Sequence, residues 1–267
     1  MKKFKLAISI ALISMTMGIT SCSDDSNSEP QIEPVTKGKK ITKITKNYNG
    51  SNVLITSLAY NNDNKLASFI GEYDYVGSKY YEYNQIIEYN NNTVIITGSA
   101  DSDDGKWIYT LNKNGYADKC VFISSQNDTT TTLFSYQNGY LNGFTESKYC
   151  ESCQKEEIDI YNISLSSGNI INGQCNYEEY AFEYANDYDN KSGIMNVLVE
   201  DMLWNHACAY YAGILGKPYT KLPSKCINEY EDFVYDCMYF FDEDGYVNNY
   251  SYYVNDYKYG TVSFEYK

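Results

Sequence analysis

Nucleophilic and proton-transfer chemistry has few places to sit in this chain. Histidine occurs once, at His206, so a Ser-His-Asp or Cys-His system would have to be built on that single imidazole. Leu198, Met202, His206, Tyr210 and Ile214 recur every four residues around it, which predicts a core-facing histidine on a helix. Arginine is absent: all 21 basic residues are lysines, and no bidentate guanidinium clamp for carboxylate or phosphate can be made. Of eight cysteines, Cys22 stands apart, leaving Cys120, Cys150, Cys153, Cys175, Cys208, Cys226 and Cys237. An odd number leaves at least one unpaired, and two or three disulfides are expected in an exported chain. Cys150-Glu151-Ser152-Cys153 has metal or redox spacing, but no second pair lies at zinc-ribbon distance and no βαβ pattern surrounds it. Asp101-Ser102-Asp103-Asp104-Gly105 brings its glycine one place early for an EF-hand loop and lacks the closing glutamate, so it reads as a solvated turn. Two carboxylates about 5 to 9.5 Å apart in a cleft would suit glycoside hydrolysis. With 35 acidic residues, spacing singles out no such pair. No catalytic residue, metal or cofactor is therefore expected.

The cysteine with a specific address is Cys22. Met1-Lys2-Lys3-Phe4-Lys5 is a positive n-region, and residues 6–17 form an apolar stretch too short to span a bilayer as a helix. Gly18-Ile19-Thr20-Ser21-Cys22 then resembles a loose lipobox, departing from the stricter form at Ile19 and Thr20. Ser23-Asp24-Asp25 resembles the acidic signal that Bacteroides-type bacteria place beside a lipidated cysteine to send lipoproteins to the surface. The expected organisation is a signal peptide over 1–21, a lipidated flexible tether over 22–40 carrying Pro30 and Pro34, and a folded region over 41–267. This predicts an outer-membrane lipoprotein at the cell surface. The alternatives are a periplasm-facing anchor, or an ordinary secretory signal with a chance cysteine. No apolar stretch after residue 40 reaches 18 residues, so no transmembrane helix is expected. Removing Lys2, Lys3 and Lys5 with the signal takes the formal charge from −14 to −17, which repels phosphate backbones and argues against nucleic acid.

Within the folded region, alternating aromatic-rich runs meet Asn/Asp/Gly turns again and again, at 57–66, 108–116, 134–141 and 239–247, with weaker copies near residues 90, 167 and 188. The unit of about 24 to 29 residues suits hairpins added one at a time to an antiparallel sheet. The exception is 196–215, predicted as one helix with Asn196 as N-cap and Gly216-Lys217-Pro218 as its end. The fold class is mainly β: repeated antiparallel hairpins forming a curved sheet or barrel-like structure, with one helix near 196–215.

The aromatic-x-Asp-x-Asp-Gly-Tyr units, with Leu215-Gly216-Lys217-Pro218 and Lys221-Leu222-Pro223-Ser224 after the helix, resemble an uncharacterised family of Bacteroides-type lipoproteins with a porin-like β fold. The resemblance implies a fold and an envelope location and carries no activity or catalytic residue. A membrane-spanning barrel needs an uninterrupted lipid-facing apolar band, whereas Tyr80-Tyr81-Glu82-Tyr83-Asn84 carries polar groups on both parities. A water-facing sheet or barrel is expected.

Thirty-one tyrosines are explained either as structural ladders or as an exposed binding platform. Trp107, Tyr109, Tyr246 and Tyr250 are the candidates for such a platform. The expected function is a lipid-anchored, non-enzymatic module that binds a neutral glycan or a protein. The alternatives are a scaffold in an envelope complex and a carboxylate-based glycoside hydrolase.

Overall fold

The computed structural model describes residues 38–48, 52–75, 78–100, 103–150, 154–175, 178–228 and 232–267. The signal peptide, Cys22 and all but the last three residues of the expected tether lie outside the described residues. Among those described there are sixteen strands. The first eight are β1 (Ile41–Tyr48), β2 (Asn52–Tyr60), β3 (Leu66–Tyr75), β4 (Ser78–Asn90), β5 (Thr93–Ala100), β6 (Asp103–Leu111), β7 (Ala117–Ser124) and β8 (Thr129–Gln137). The second eight are β9 (Tyr140–Cys150), β10 (Lys155–Ser166), β11 (Asn169–Cys175), β12 (Glu178–Asp189), β13 (Lys221–Asn228), β14 (Phe233–Phe241), β15 (Val247–Val254) and β16 (Tyr257–Tyr266). Each strand pairs antiparallel with the next, and β1 pairs with β16 through Ile44↔Phe264, so the sheet closes into a barrel. Closure leaves no exposed sheet edge.

The turns expected from the sequence are built by one local device. Asn61, Asn112 and Asp242 each open a five-residue turn in which Oδ1 accepts the N–H groups two and four residues on. The distances are 3.0 and 2.9 Å at Asn61, 2.9 and 3.1 Å at Asn112, and 3.0 and 2.8 Å at Asp242. The fourth residue then takes a positive φ, 60° at Asn64, 78° at Gly115 and 80° at Gly245. An Asx side chain can mimic a backbone turn, and Asn or Gly tolerates the left-handed region, so the device needs only local sequence. Asn138-Gly139 is the shorter form, with φ of 56° and 86° in succession, the requirement of a type I′ hairpin.

These tight turns and both ends of the described chain share one end of the barrel. There the tyrosines repeat a contact. The hydroxyls of Tyr60, Tyr89, Tyr136, Tyr184 and Tyr266 donate to the carbonyls of Ile41, Leu66, Ala117, Ile170 and Val247, at 2.7 to 3.0 Å. Each acceptor is the first or second residue of the strand before the tyrosine's own. A phenol suits this place because its ring joins the core while its hydroxyl satisfies a carbonyl that the ladder leaves open.

Residues 190–220, between β12 and β13, fold into the barrel from this end and plug it. The helix expected over 196–215 is broken into α1 (Val197–Met202), a 3-10 turn over Trp204–His206, and α2 (Ala207–Tyr211). Asn196 stands directly before α1, and its amide nitrogen donates to Tyr239 Oη at 2.5 Å and Cys237 Sγ at 3.4 Å on β14. The terminating glycine is Gly213, not Gly216. Gly213 N–H bonds Tyr210 O at 2.9 Å and Ile214 N–H bonds Ala209 O at 3.2 Å around a φ of 78°, a Schellman end. The plug touches opposite walls: Glu200 pairs with Lys46 of β1, Tyr211 stacks on Phe69 of β3, and the Ile214 carbonyl accepts the N–H of Ala117 on β7.

Alternate residues point inward, and the core lies inside. Phe69, Trp107, Tyr109, Phe134 and Phe264 from the strands pack with Met202, Leu203, Ile214 and Leu215 of the plug. The described outer face mixes exposed Ser57, Thr97, Lys106, Lys119, Ser135 and Glu183 with Ile86, Leu133, Ile160 and Met238. Cross-strand neighbours there include Glu72 with Tyr81 and Thr97 with Lys106. A channel-forming barrel has a continuous apolar band outside and a wet interior, whereas this outer face is mixed and this interior is packed by the plug.

Candidate functional site

The four residues nominated from the sequence as an exposed aromatic platform are buried. Trp107, Tyr109, Tyr246 and Tyr250 keep 3%, 1%, 6% and 1% of their surface. Trp107 and Tyr109 sit on the inward parity of β6, where Trp107 packs on Phe122 at 4.5 Å between centroids. Tyr250 is enclosed by Tyr239 and Phe264, and Tyr246 lies under the ammonium groups of Lys39 and Lys191. Amphipathic tyrosine serves either face, so its face follows only from barrel closure.

His206 is in the core, as expected. Its Nδ1 meets Tyr109 Oη at 2.9 Å, and the rings of Tyr109, Phe134 and Phe144 enclose it with centroids 5.1 to 6.0 Å away. The other nitrogen, Nε2, is buried without a hydrogen-bond partner among the described residues and stands 4.0 Å from Glu146 Oε2. Burial pushes the imidazole down to about 4, so it is neutral at pH 7. Glu146 is raised, first by burial and then by Asp159, which faces it across β9 and β10. At 4.0 Å the pair is an ion pair only if His206 is charged, and burial of the ring decides against that. Glu146 and Asp159 are opposed carboxylates on β9 and β10, and neither lines a recess formed by the described residues.

The expected disulfides are absent from the described cysteines: Cys120, Cys175, Cys208, Cys226 and Cys237 are thiols. Each lies on a different strand or in the plug, and burial pushes Cys120 up to about 12 and Cys237 up to about 11, the reverse of a reactive site. The Cys150 side chain and Cys153 lie outside what the structure describes, as do Asp101 and Ser102. Among the described residues no three His, Cys, Asp or Glu side chains converge as metal ligands.

The feature that sequence reading missed is a recess of about 380 Å³ on the inner wall at the end opposite the plug. It is lined by Tyr48, Asn52, Leu54, Tyr73, Tyr80, Glu82 and Tyr259. These residues come from β1 to β4, joined by successive hairpin pairings, and from β16, which is brought beside β1 by barrel closure. Register brings Tyr73 opposite both Leu54 and Tyr80, and Tyr48 opposite Asn52 and Gly260. Ring centroids are 5.2 Å apart for Tyr73 and Tyr80, 6.4 Å for Tyr48 and Tyr73, and 6.5 Å for Tyr48 and Tyr259. Glu82 is the extra residue of a β-bulge, between Tyr81 paired with Glu72 and Tyr83 paired with Gly71. A bulge re-aims side chains, and this one turns a carboxylate toward the recess. Asn52 Oδ1 is buried with no hydrogen-bond partner among the described residues. The volume is that of a small-ligand site, about 300 to 1,000 Å³, and the lining has the usual pattern of apolar rings with a few polar groups. The alternation Tyr73-Asp74-Tyr75 and Tyr80-Tyr81-Glu82 was a sequence signal for aromatic strands, but nothing in it joined them to Tyr48 or Tyr259.

The sequence matches no protein-family model and no curated protein. Its barrel is similar to a porin-like protein from Bacteroides uniformis, with a TM-score of 0.70 and 23% identity over 90% of this chain and 100% of that one. It is also similar to a porin-like protein from Bacteroides vulgatus, with a TM-score of 0.64 and 11% identity over 86% of this chain and 99% of that one. The chain thus has the fold of these porin-like proteins.

Proposed function

We propose that this protein is a lipid-anchored binding barrel of the bacterial envelope, holding a small ligand in the tyrosine-lined recess without turnover. The observation that carries the reading is four tyrosines and two polar groups gathered on one inner wall, with the acceptor of Asn52 left unmatched. A buried acceptor without a donor costs roughly 1 to 3 kcal/mol, and a ligand donor would recover it. The outer face supports anchoring over spanning, and Cys22 supplies the anchor. Because the described chain begins at the plugged end, the tether would hold that end toward the membrane and leave the recess facing away. His206 is walled in by rings and supplies no accessible base.

The binding test is a titration of the full chain in detergent with neutral and basic oligosaccharides and peptides, followed through tyrosine resonances. Saturable binding that is weakened by Tyr73→Leu and untouched by the outer-face change Tyr149→Leu is expected. No saturable ligand, or loss only with Tyr149→Leu, would refute it. For the anchor, Cys22→Ala should release the protein from the membrane fraction, and unchanged partitioning would remove that part of the reading.

A second reading, a scaffold in an envelope complex, is favoured by exposed Leu133, Tyr149, Ile158 and Ile160 on β8 to β10. It predicts that Leu133→Asp releases a co-purifying protein while recess binding survives.

A further inference from the structure

We infer that a second recess, at the plugged end and framed by Lys40, Lys65 and Lys267, receives the phosphate of a membrane lipid headgroup. The cluster stands on its own contacts; the choice of a lipid over a free phosphate rests on the lipid-anchored reading of the proposed function.

This recess holds about 240 Å³ and lies where the described chain begins. Backbone pairing places two of the lysines, since Lys40 N–H bonds Lys267 O at 3.0 Å and Lys267 N–H bonds Lys40 O at 2.9 Å. Lys40 Nζ donates to the carbonyl of Asn64, the residue before Lys65. Lys40 and Lys267 both bring their ammonium groups to the ring of Tyr60, 4.8 and 4.6 Å from its centroid, and Lys65 stands 5.1 Å over Tyr89. The partners of the three ammonium groups are thus a carbonyl and two rings, which are neutral and leave the positive charges in place. None of the three forms an ion pair among the described residues. Burial, and then the charge of Lys267, push the Lys40 ammonium down, as expected where like charges share a wall. Asp63 is the carboxylate of the lining, and Lys39, which also lines the recess, is already held by Asp242 and Asp244 at 2.8 and 2.6 Å. In a chain with 35 acidic residues such a grouping runs against the average, and a phosphate would neutralise it. With arginine absent, lysine is the side chain left to bind one, as a point charge. Ile41, Ala212 and Pro218 add apolar lining, which suits the glycerol and first methylenes of a lipid and gives nothing to inorganic phosphate. A tether from Cys22 would bring the membrane to this end, where lysines gain from anionic headgroups.

The test uses the full chain in non-ionic micelles doped with phosphatidic acid, with phosphatidylcholine, or with inorganic phosphate added at the same concentration; its lysines are briefly acetylated and mapped by mass spectrometry. Phosphatidic acid should slow labelling of Lys40, Lys65 and Lys267 at least about threefold and leave Lys106 and Lys119 on the outer face unchanged. Phosphatidylcholine should do neither. Lys65→Gln, a change in a tight turn, should raise the phosphatidic acid needed to protect Lys40 and Lys267 about three- to tenfold, whereas Lys119→Gln should not. Equal protection by inorganic phosphate would give the cluster to a free anion and overturn the lipid. No protection, equal protection by phosphatidylcholine, equal slowing at Lys106 and Lys119, or indifference to Lys65→Gln overturns the site. Chain and lipid share one micelle whether or not Cys22 is lipidated, so release of Cys22→Ala from membranes and loss of protection are separate results.

Discussion

The core histidine makes the sharpest thermodynamic test. His206 is held neutral by burial, with its imidazole near 4 against an ordinary 6.5. Above pH 6.5 it is neutral folded and unfolded, and contributes no pH dependence. As pH falls from 6.5 toward 4, the unfolded chain takes up a proton that the folded chain refuses, so stability is lost through that window. At 1.36 kcal/mol per pH unit the full loss is about 3 kcal/mol, and about 2.5 kcal/mol of it is reached by pH 4.5. Two effects oppose this. The surrounding rings attract an imidazolium, and Glu146 lies 4.0 Å away, but Glu146 is itself raised toward the neutral acid and makes a poor counter-ion. Its own linkage runs the other way: its stabilising share is present at low pH and is lost as pH rises through its folded value. The measurement is therefore a difference. Urea unfolding of the wild type and His206→Gln at pH 7 and pH 4.5 cancels the fixed cost of the substitution and the shared carboxylates. The wild type should lose about 2 kcal/mol more than the variant between the two pH values. Parallel losses, or a wild type that gains on the variant at pH 4.5, would show that Glu146 and the rings hold a charged imidazole.

Four other expectations follow from the same structure. Gly98→Ala should cost several kcal/mol in thermal or denaturant unfolding, since its Cβ would meet the Asn84 carbonyl oxygen at 1.8 Å with φ at 145°. Gly139→Val should cost more than about 1 kcal/mol from its φ of 86°, but less than Gly98→Ala, because the nearest obstacle is the flexible Lys217 side chain at 3.0 Å. Tyr136→Phe should cost about 1 kcal/mol by leaving the Ala117 carbonyl unmatched, and should add to Tyr60→Phe across the barrel; a cost near zero for both would deny the hydroxyls their role. Maleimide should leave Cys120, Cys208 and Cys237 unlabelled in the folded chain and label them after unfolding without reductant; recovery of any of them as a disulfide would contradict the thiol assignment.

Local sequence was enough for the β class and for the turns, because each is decided within a few residues. Asn61, Asn112 and Asp242 carry their own turn acceptors, and Asn64, Gly115 and Gly245 tolerate the φ that follows. The helical character of 196–215 was legible in its period of four, and His206 was rightly placed in the core. The break in that helix and its end at Gly213 were not; in the barrel the segment is held by contacts with β1, β3 and β7 that its own sequence does not specify. A strand's alternation says that Trp107 and Tyr109 share a face and is silent about which face a closing barrel turns inward. Tyrosine makes the ambiguity acute, because a phenol is stable as a buried cap on a carbonyl, as at Tyr136, or as the wall of an open recess, as at Tyr80. Tyr48, Asn52, Tyr73 and Glu82 are joined by the successive pairings of β1 to β4, and Tyr259 became their neighbour only when β1 met β16. That single non-local pairing decided where the core lies, which tyrosines are hidden, and that Tyr259 walls the recess.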